Sequence, residues 1–266
     1  MSAKVTIHVS PLILTLETLN ILVFFSLHTP EDANNVKIHA VADVHSPKYL
    51  TEFKQSLNGL LPPDLFLFAG DMVSRGKADE YNTILDLIES QFGESTPIIG
   101  CFGNEEYNEV RKEIIGLTGQ RMIFLDEKST IIELKGFQVG VVGTQGSLDK
   151  ATSWQRRNIP SIKGVFERRA KRAASLLKKL DSKVDKSILL MHYSPCLETC
   201  VGEDLRAFSW LGSRKFYQVI LDQCPDLVIH GHVHNSVSHR AIIGPTLVCN
   251  VALPAVGNIT ELSLWE

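Results

Sequence analysis

The sequence predicts an α/β fold, a sandwich of sheets flanked by helices, built as one domain over residues 36–266. Three observations carry this expectation. From Val36 onward, strand-like and helix-like patterns alternate through the first two thirds of the chain, which points to parallel βαβ units. Segment Arg240–Leu264 reads instead as strands broken at Gly244-Pro245 and Leu253-Pro254, an antiparallel tail. Five short polar motifs each sit where an apolar run stops, so polar chemistry is delivered at strand ends, the edge where open α/β sheets carry their sites.

Taken in order, the first strand is Val36–Ala42, which ends in Asp43-Val44-His45. Pro47–Leu60 follows with Tyr49, Leu50, Phe53, Leu57 and Leu60 at helical spacing, Pro47 fitting a first-turn position. Strand Leu65–Ala69 runs into Gly70-Asp71-Met72-Val73-Ser74-Arg75-Gly76, and Tyr81, Ile84, Leu85 and Ile88 mark the next helix. Strand Pro97–Phe102 ends in Gly103-Asn104-Glu105, and Val110, Ile114, Ile115 and Leu117 give a third apolar stripe. Phe137–Val142 reads as a strand and Gly164–Leu180 as a long amphipathic helix. Strand Ser187–Met191 precedes His192, Lys215–Leu221 is a shorter helix, and strand Asp226–His230 precedes Gly231-His232-Val233-His234. No repeat, low-complexity tract or Pro/Gly/Ser-rich linker divides the chain.

At 266 residues and 44% hydrophobic content the chain can build a sizeable core. A formal net charge of −3 gives no global attraction to nucleic acid or anionic lipid. Five scattered cysteines make no disulfide framework. Cys196 and Cys200 lack the second pair that a zinc ribbon needs, so buried or idle thiols and a reducing, cytoplasmic interior are expected. Residues 1–35 form an apolar N-terminal extension. Within it, Pro11–Leu27 carries eleven Leu, Ile, Val and Phe, but also Glu17 and Asn20. A central carboxylate returns roughly 3 kcal/mol of the insertion energy, and the stretch is at the short limit for a span. Three readings stand: a weak membrane anchor, a helix packed on the domain, or upstream sequence without a role. The last is favoured because the first convincing strand starts directly after the polar Glu31–Asn35 run, and membrane contact by residues 11–27 is disfavoured.

Carboxylate, amide and imidazole groups together suit a pair of divalent first-row ions, so the motifs read as a metal-dependent hydrolase. Asp43 and His45 turn toward one ion only if the strand gives way to a loop, which Ser46-Pro47 favours. Gly70 lets backbone approach the centre beside Asp71, whose two oxygens suit a bridging role. Each residue alone has an ordinary alternative: Asp after Gly as a turn or cap residue, His192 as a hydrogen-bonded core histidine. Their conjunction, with intervals of 28 residues from Asp43 to Asp71 and 33 from Asp71 to Asn104, is hard to produce by accident.

The series D-x-H, G-D-x-V-x-R-G, G-N-E, H and G-H-x-H closely resembles the calcineurin-like metallophosphoesterase superfamily from about Val36 to Ser238. The resemblance implies a four-layer α/β/β/α sandwich with a dinuclear metal site at the C-terminal ends of the strands. It implies one ion on Asp43, His45, Asp71 and His234, and a second on Asp71, Asn104, His192 and His232, with Asp71 bridging. Manganese is the favoured occupant, with iron, zinc or nickel as alternatives. It further implies hydrolysis of a phosphate ester by a metal-bridging hydroxide, with Arg75 as a candidate phosphate ligand.

Two departures shape the expected activity. Ser74 stands where the family's G-D-x-V-D-R-G form has a second Asp. Glu105 stands where many members have a His that assists the leaving group, so Glu105 is the candidate in its place, and a diester or activated ester is expected over an alkyl monoester. Between Lys150 and Lys183 there are eleven Lys/Arg against two acids. Arg168–Lys179 reads as a solvated helix face, whereas Trp154, Arg156 and Arg157, placed in a loop, hint at a nucleotide or other phosphate-rich substrate and not at sequence-specific nucleic-acid recognition. The Trp210–Arg214 stretch either lines the same cleft or leads into a helix. The alternative function is a catalytically weak or inactive scaffold of the same fold that binds proteins; it gives no physical reason for seven intact ligands. Oligomeric state is not legible.

Overall fold

The computed structural model describes residues 35–265, so the expectations for residues 11–27 lie outside the described residues. Parallel strands buried on both faces read as unbroken apolar runs, and Leu65–Phe68 shows why. Leu65 and Leu67 face a core between two sheets, while Phe66 and Phe68 face helices on the outside. The first sheet contains β1 (Lys37–Val41), β2 (Leu65–Phe68), β3 (Ile98–Gly100), β4 (Ile123–Phe124) and β11 (Thr260–Ser263), in the order β11-β1-β2-β3-β4. Its strands are parallel except β11 against β1. The second contains β5 (Lys128–Leu134), β6 (Phe137–Thr144), β7 (Lys186–Met191), β8 (Leu227–His230), β9 (Arg240–Ile243) and β10 (Thr246–Asn250), in the order β5-β6-β7-β8-β10-β9. Here the edge strands β5 and β9 are antiparallel to their neighbours and the central pairs are parallel.

The sheets bury one core between them, from Ile38, Ala40, Leu67 and Ile99 to Val141, Ile188, Leu190 and Ile229. Helices α1 (Leu50–Leu57), α2 (Glu80–Phe92) and α3 (Arg111–Thr118) cover the outer face of the first sheet. Helices α5 (Ile162–Leu180) and α6 (Arg214–Gln223) cover the second. The architecture is therefore the four-layer α/β/β/α sandwich. α5 buries Ile162, Phe166, Ala170, Ala173, Leu176, Leu177 and Leu180, one stripe at helical spacing. Each large apolar side chain in that stripe contributes about 1.5–3 kcal/mol.

The structure differs from the sequence reading in several places. α1 begins at Leu50, leaving Pro47 in the preceding turn. In α3 only Ile114 of the apolar stripe is buried, Val110 packs partly, and Ile115 and Leu117 face solvent. Residues 153–158 form α4 (Ser153–Asn158) rather than a loop, because Thr152 and Gln155 make a reciprocal capping box. Leu253-Pro254 opens a helical turn, α7 (Leu253–Val256), with Pro at its start, where the missing N–H costs nothing. β4 and β5 were not foreseen: one has two residues, and the other is an edge strand of mixed polarity with few buried positions. None of the five cysteines forms a disulfide, and only Cys224 is exposed. Among the described residues no helix is long and apolar enough to cross a membrane.

Candidate metal centre

The C-terminal ends of the two sheets bring the polar motifs together. Asp43 and His45 follow β1, Asp71 follows β2 and Asn104 follows β3. His192 follows β7, and His232 and His234 follow β8. The sheets are fastened at this edge: the His232 amide donates to Asp43 Oδ2 at 2.7 Å, and His192 Nδ1 donates to the Ala69 carbonyl at 3.0 Å. Asp43, His45, Asp71 and His232 all adopt left-handed backbone, with φ of 59°, 45°, 50° and 69°. Such conformations cost about 1–3 kcal/mol each and persist where surrounding structure holds them, typically at functional sites. Gly70 is required by packing, since a Cβ there would lie 2.6 Å from the Gly103 nitrogen.

Two sets of side chains result. Asp43, His45 and His234 form one and Asp71, His192 and His232 the other, the donor atoms of each set lying within 4.8 Å of one another. His234 Nε2 is 2.9 Å and His45 Nε2 3.6 Å from Asp43 Oδ1. Asp71 Oδ2 faces both sets, 3.9 Å from His45 Nε2 and 3.4 Å from His192 Nε2. Asn104 Oδ1 lies 3.1 Å from His192 Nε2. His45 Nε2 is buried without a hydrogen-bond partner among the described residues, an expensive arrangement for a polar atom unless a cation meets it. Oxygen and imidazole donors in this mixture fit divalent first-row ions.

Electrostatics divide the histidines. Burial lowers the His192 pKa, but the Asp71 charge outweighs it and lifts the group to about 9. Burial, reinforced by the His192 charge, pushes His232 down to about 4. His45 is opposed by burial and lifted by Asp43 and Asp71, with a net rise. Burial also works against ionised Asp43, yet the hydrogen bond from His234 and the adjoining His45 ring hold its pKa well below the usual carboxylate range. The His232 Nε2–H donates to the Trp210 carbonyl at 3.2 Å, which leaves Nδ1 as its free lone pair.

Supporting contacts surround these groups. Fully buried Glu106 accepts from the amides of Gly103, Asp71 and Met72 at 2.7–2.8 Å and from the Tyr81 hydroxyl at 3.0 Å. It thereby splices the Asp71 turn to the Asn104 turn. Sequence reasoning missed this role; the only signal was an acid two residues after Asn104. Glu105 is half-buried, and its carboxylate accepts the Arg75 amide at 2.6 Å. Arg75 itself is exposed, with φ of 52°. Ser74 donates its hydroxyl to the His45 carbonyl at 2.7 Å, pinning the loop. Arg156 and Arg157 are exposed, and each donates to a carbonyl at or just before the start of their short helix, Ala151 and Ser153. Their helix still abuts the centre, because Gln155 reaches the Tyr193 hydroxyl and the Tyr193 ring sits 4.7 Å from that of His232. The Trp210 stretch meets both readings: its carbonyl touches His232, and Ser213 caps α6. A cavity of about 420 Å³ opens beside His234, walled by Tyr49, Glu52, Asn235 and Leu253.

The four-layer α/β/β/α sandwich thus carries two carboxylate–imidazole sets at its strand ends, two candidate places for a divalent ion. The chain belongs to the calcineurin-like phosphoesterase family, whose profile matches residues 36–236. No curated protein matches it. Solved structures share its fold at low identity. The phosphopantetheinyl hydrolase of Mycobacterium tuberculosis aligns at 16% identity over 83% of this chain and 90% of its own, with a TM-score of 0.61. A purple acid phosphatase from yellow lupin seeds aligns at 16% over 88% and 47%, with a TM-score of 0.53. The anchor of the Plasmodium inner membrane complex aligns at 13% over 84% and 72%, with a TM-score of 0.52.

Proposed function

We propose that this protein is a dinuclear metal-dependent phosphoesterase acting preferentially on diesters or activated esters of a small phosphate. Asp43, His45 and His234 hold one ion, Asn104, His192 and His232 the other, and Asp71 reaches both. When bound, the ions supply Lewis acidity that activates water as a nucleophile and neutralises phosphoryl charge. The observation that carries this reading is Asp71 Oδ2 facing the orphaned His45 nitrogen on one side and His192 on the other.

The chain's own residues fix the donor atoms. Asp43 spends Oδ2 on the His232 amide and keeps Oδ1 toward His234 and His45. Asp71 spends Oδ1 on the Glu105 amide at 2.6 Å and keeps Oδ2 for the centre. His192 fixes its ring through Nδ1 on Ala69, aiming Nε2 inward. The cavity beside His234 offers room for an organic portion of the ester, and exposed Arg75 is the candidate phosphate ligand. Manganese is the favoured ion, and a nucleotide ester remains the favoured substrate type on the sequence reading alone.

Diester preference follows from the Asn104–Glu105 turn. No imidazole follows Asn104, and the Glu105 carboxylate in its place accepts the Arg75 backbone amide at 2.6 Å. A leaving alkoxide therefore departs without assistance, which penalises alkyl monoesters most. The scaffold alternative has one relative on its side, an anchor protein with this fold, but leaves the buried His45 nitrogen unexplained. The test is turnover of bis(p-nitrophenyl) phosphate beside p-nitrophenyl phosphate by metal-reconstituted protein. A rate ratio favouring the diester is expected. Efficient monoester hydrolysis with little diester turnover would refute the leaving-group argument.

A further inference from the structure

Arg169 belongs to the basic run that reads as a solvated helix face, yet its side chain is only 16% exposed and points inward. Its guanidinium donates to Gln145 Oε1 at 2.7 Å and to the Gly146 carbonyl at 3.1 Å. Arg111, from the first turn of α3, donates to the same Gln145 oxygen at 3.2 Å, to the Glu106 carbonyl at 3.1 Å and to Asp126 at 3.1 Å. Gln145 is 8% exposed and follows β6 directly. Two cationic donors on its oxygen settle which way the amide faces, because only oxygen can accept from them. Its NH₂ group therefore points at the Gly103 carbonyl, 2.9 Å away.

This placement joins two groups that arrive from different sheets. Gly103 precedes Asn104, at the end of β3 in the first sheet. The backbone carbonyl of Gln145 accepts the amide of Tyr193, the residue after His192, at the end of β7 in the second. One residue thus holds the neighbour of Asn104 by its side chain and the neighbour of His192 by its backbone. Asn104 Oδ1 and His192 Nε2 are 3.1 Å apart, and any drift of one sheet edge against the other would separate them. No member of the other set, Asp43, His45 or His234, touches this bridge through the contacts above.

We infer that Gln145, held by Arg169 and Arg111, is a positioning residue that sets the Asn104–His192 spacing and hence the affinity of the second ion. The inference rests on the dinuclear reading proposed above. Its effect is selective: the Asp43–His45–His234 ion keeps its affinity while the Asn104–His192–His232 ion loses it. Outer contacts of metal ligands are worth about 10–100-fold in metal affinity or activity.

The test is calorimetric titration of the metal-stripped full chain with Mn²⁺, for wild type, Gln145→Met and Gln145→Glu. Methionine keeps the volume and removes both hydrogen-bonding ends. Glutamate keeps an acceptor for the two guanidinium groups but replaces the donor to Gly103 with a charged acceptor. In both variants one of the two binding steps is expected to shift about 10–100-fold with the other unchanged. Turnover should be lost at limiting Mn²⁺ and largely restored when Mn²⁺ is raised by the same factor. Unchanged affinities, or equal loss at both steps with a lowered melting temperature, would overturn the inference. Failure of both variants to fold would assign Gln145 a purely structural role and overturn it too. Wild-type protein that binds fewer than two ions would refute the dinuclear reading itself, and this inference with it.

Discussion

Proton release on metal binding is the sharpest consequence of the charge arrangement, and pH is the perturbation. In the metal-free protein Asp71 lifts His192 to about 9, so at neutral pH its Nε2 carries a proton where a ligand lone pair is needed. That proton must leave before the ion binds. At pH 7 the group lies two units below its pKa, so apparent affinity is about 100-fold weaker than above pH 9, with about tenfold lost per unit of pH. His232, already neutral with a pKa near 4, adds nothing over this range. His45, raised above 6.5, adds a second proton toward the lower end. The same shift has the opposite effect on the metal-free fold. A raised histidine pKa stabilises the apo protein below pH 6.5, by about 3 kcal/mol, and that contribution is lost as pH rises through 9. The assay is Mn²⁺ affinity in chelator-buffered solution from pH 6 to 9, with calorimetry in two buffers of different ionisation enthalpy to count protons. Release of about one proton from the Asp71–His192–His232 set is expected at pH 7.5. An affinity for the second ion that does not change between pH 7 and 9 would refute the Asp71–His192 coupling.

Three further outcomes are expected. Asp71→Asn removes the charge facing both sets and should cost both metal content, by elemental analysis after desalting, and nearly all turnover; retention of either would sink the bridging role. Glu105→His should raise monoester turnover relative to diester turnover, and an unchanged ratio would mean that position 105 does not handle the leaving-group proton. Ile114→Ala should destabilise the fold by about 2–5 kcal/mol in urea titration, while Ile115→Ala, half exposed, should stay within about 0.5 kcal/mol. Equal losses would contradict the orientation of α3.

How much of this was legible depended on the range of the interaction concerned. β2 and β7 announced themselves because a strand buried on both faces has apolar residues without interruption, and each ends at a polar residue the fold then uses, Asp71 and His192. α3 misled because Ile115 and Leu117 share an apolar stripe with Ile114, but the sheet meets only the Ile114 side. Residues 152–158 misled because polar and basic composition suggested a loop, whereas the Thr152–Gln155 cap decides for helix. At the site, side chains with intrinsic ligand chemistry were readable one by one. Glu106 and Gln145 were not, since their roles rest on contacts distant in sequence, with Asp71 and Met72 34–35 positions from Glu106 and with Gly103 42 positions from Gln145. Arg169 looked like surface charge until the partners that bury it were in place.

The central claim is that two ions at the strand ends make this chain a phosphoesterase. The most direct measurement is turnover of bis(p-nitrophenyl) phosphate by metal-stripped protein against added equivalents of Mn²⁺, with bound metal counted in parallel. Turnover that is absent without metal and reaches its plateau at two bound ions per chain is the predicted result. Two tightly bound ions with no turnover, for Mn²⁺ and likewise for iron, cobalt, nickel or zinc, would contradict the account and leave a metal-binding scaffold in its place.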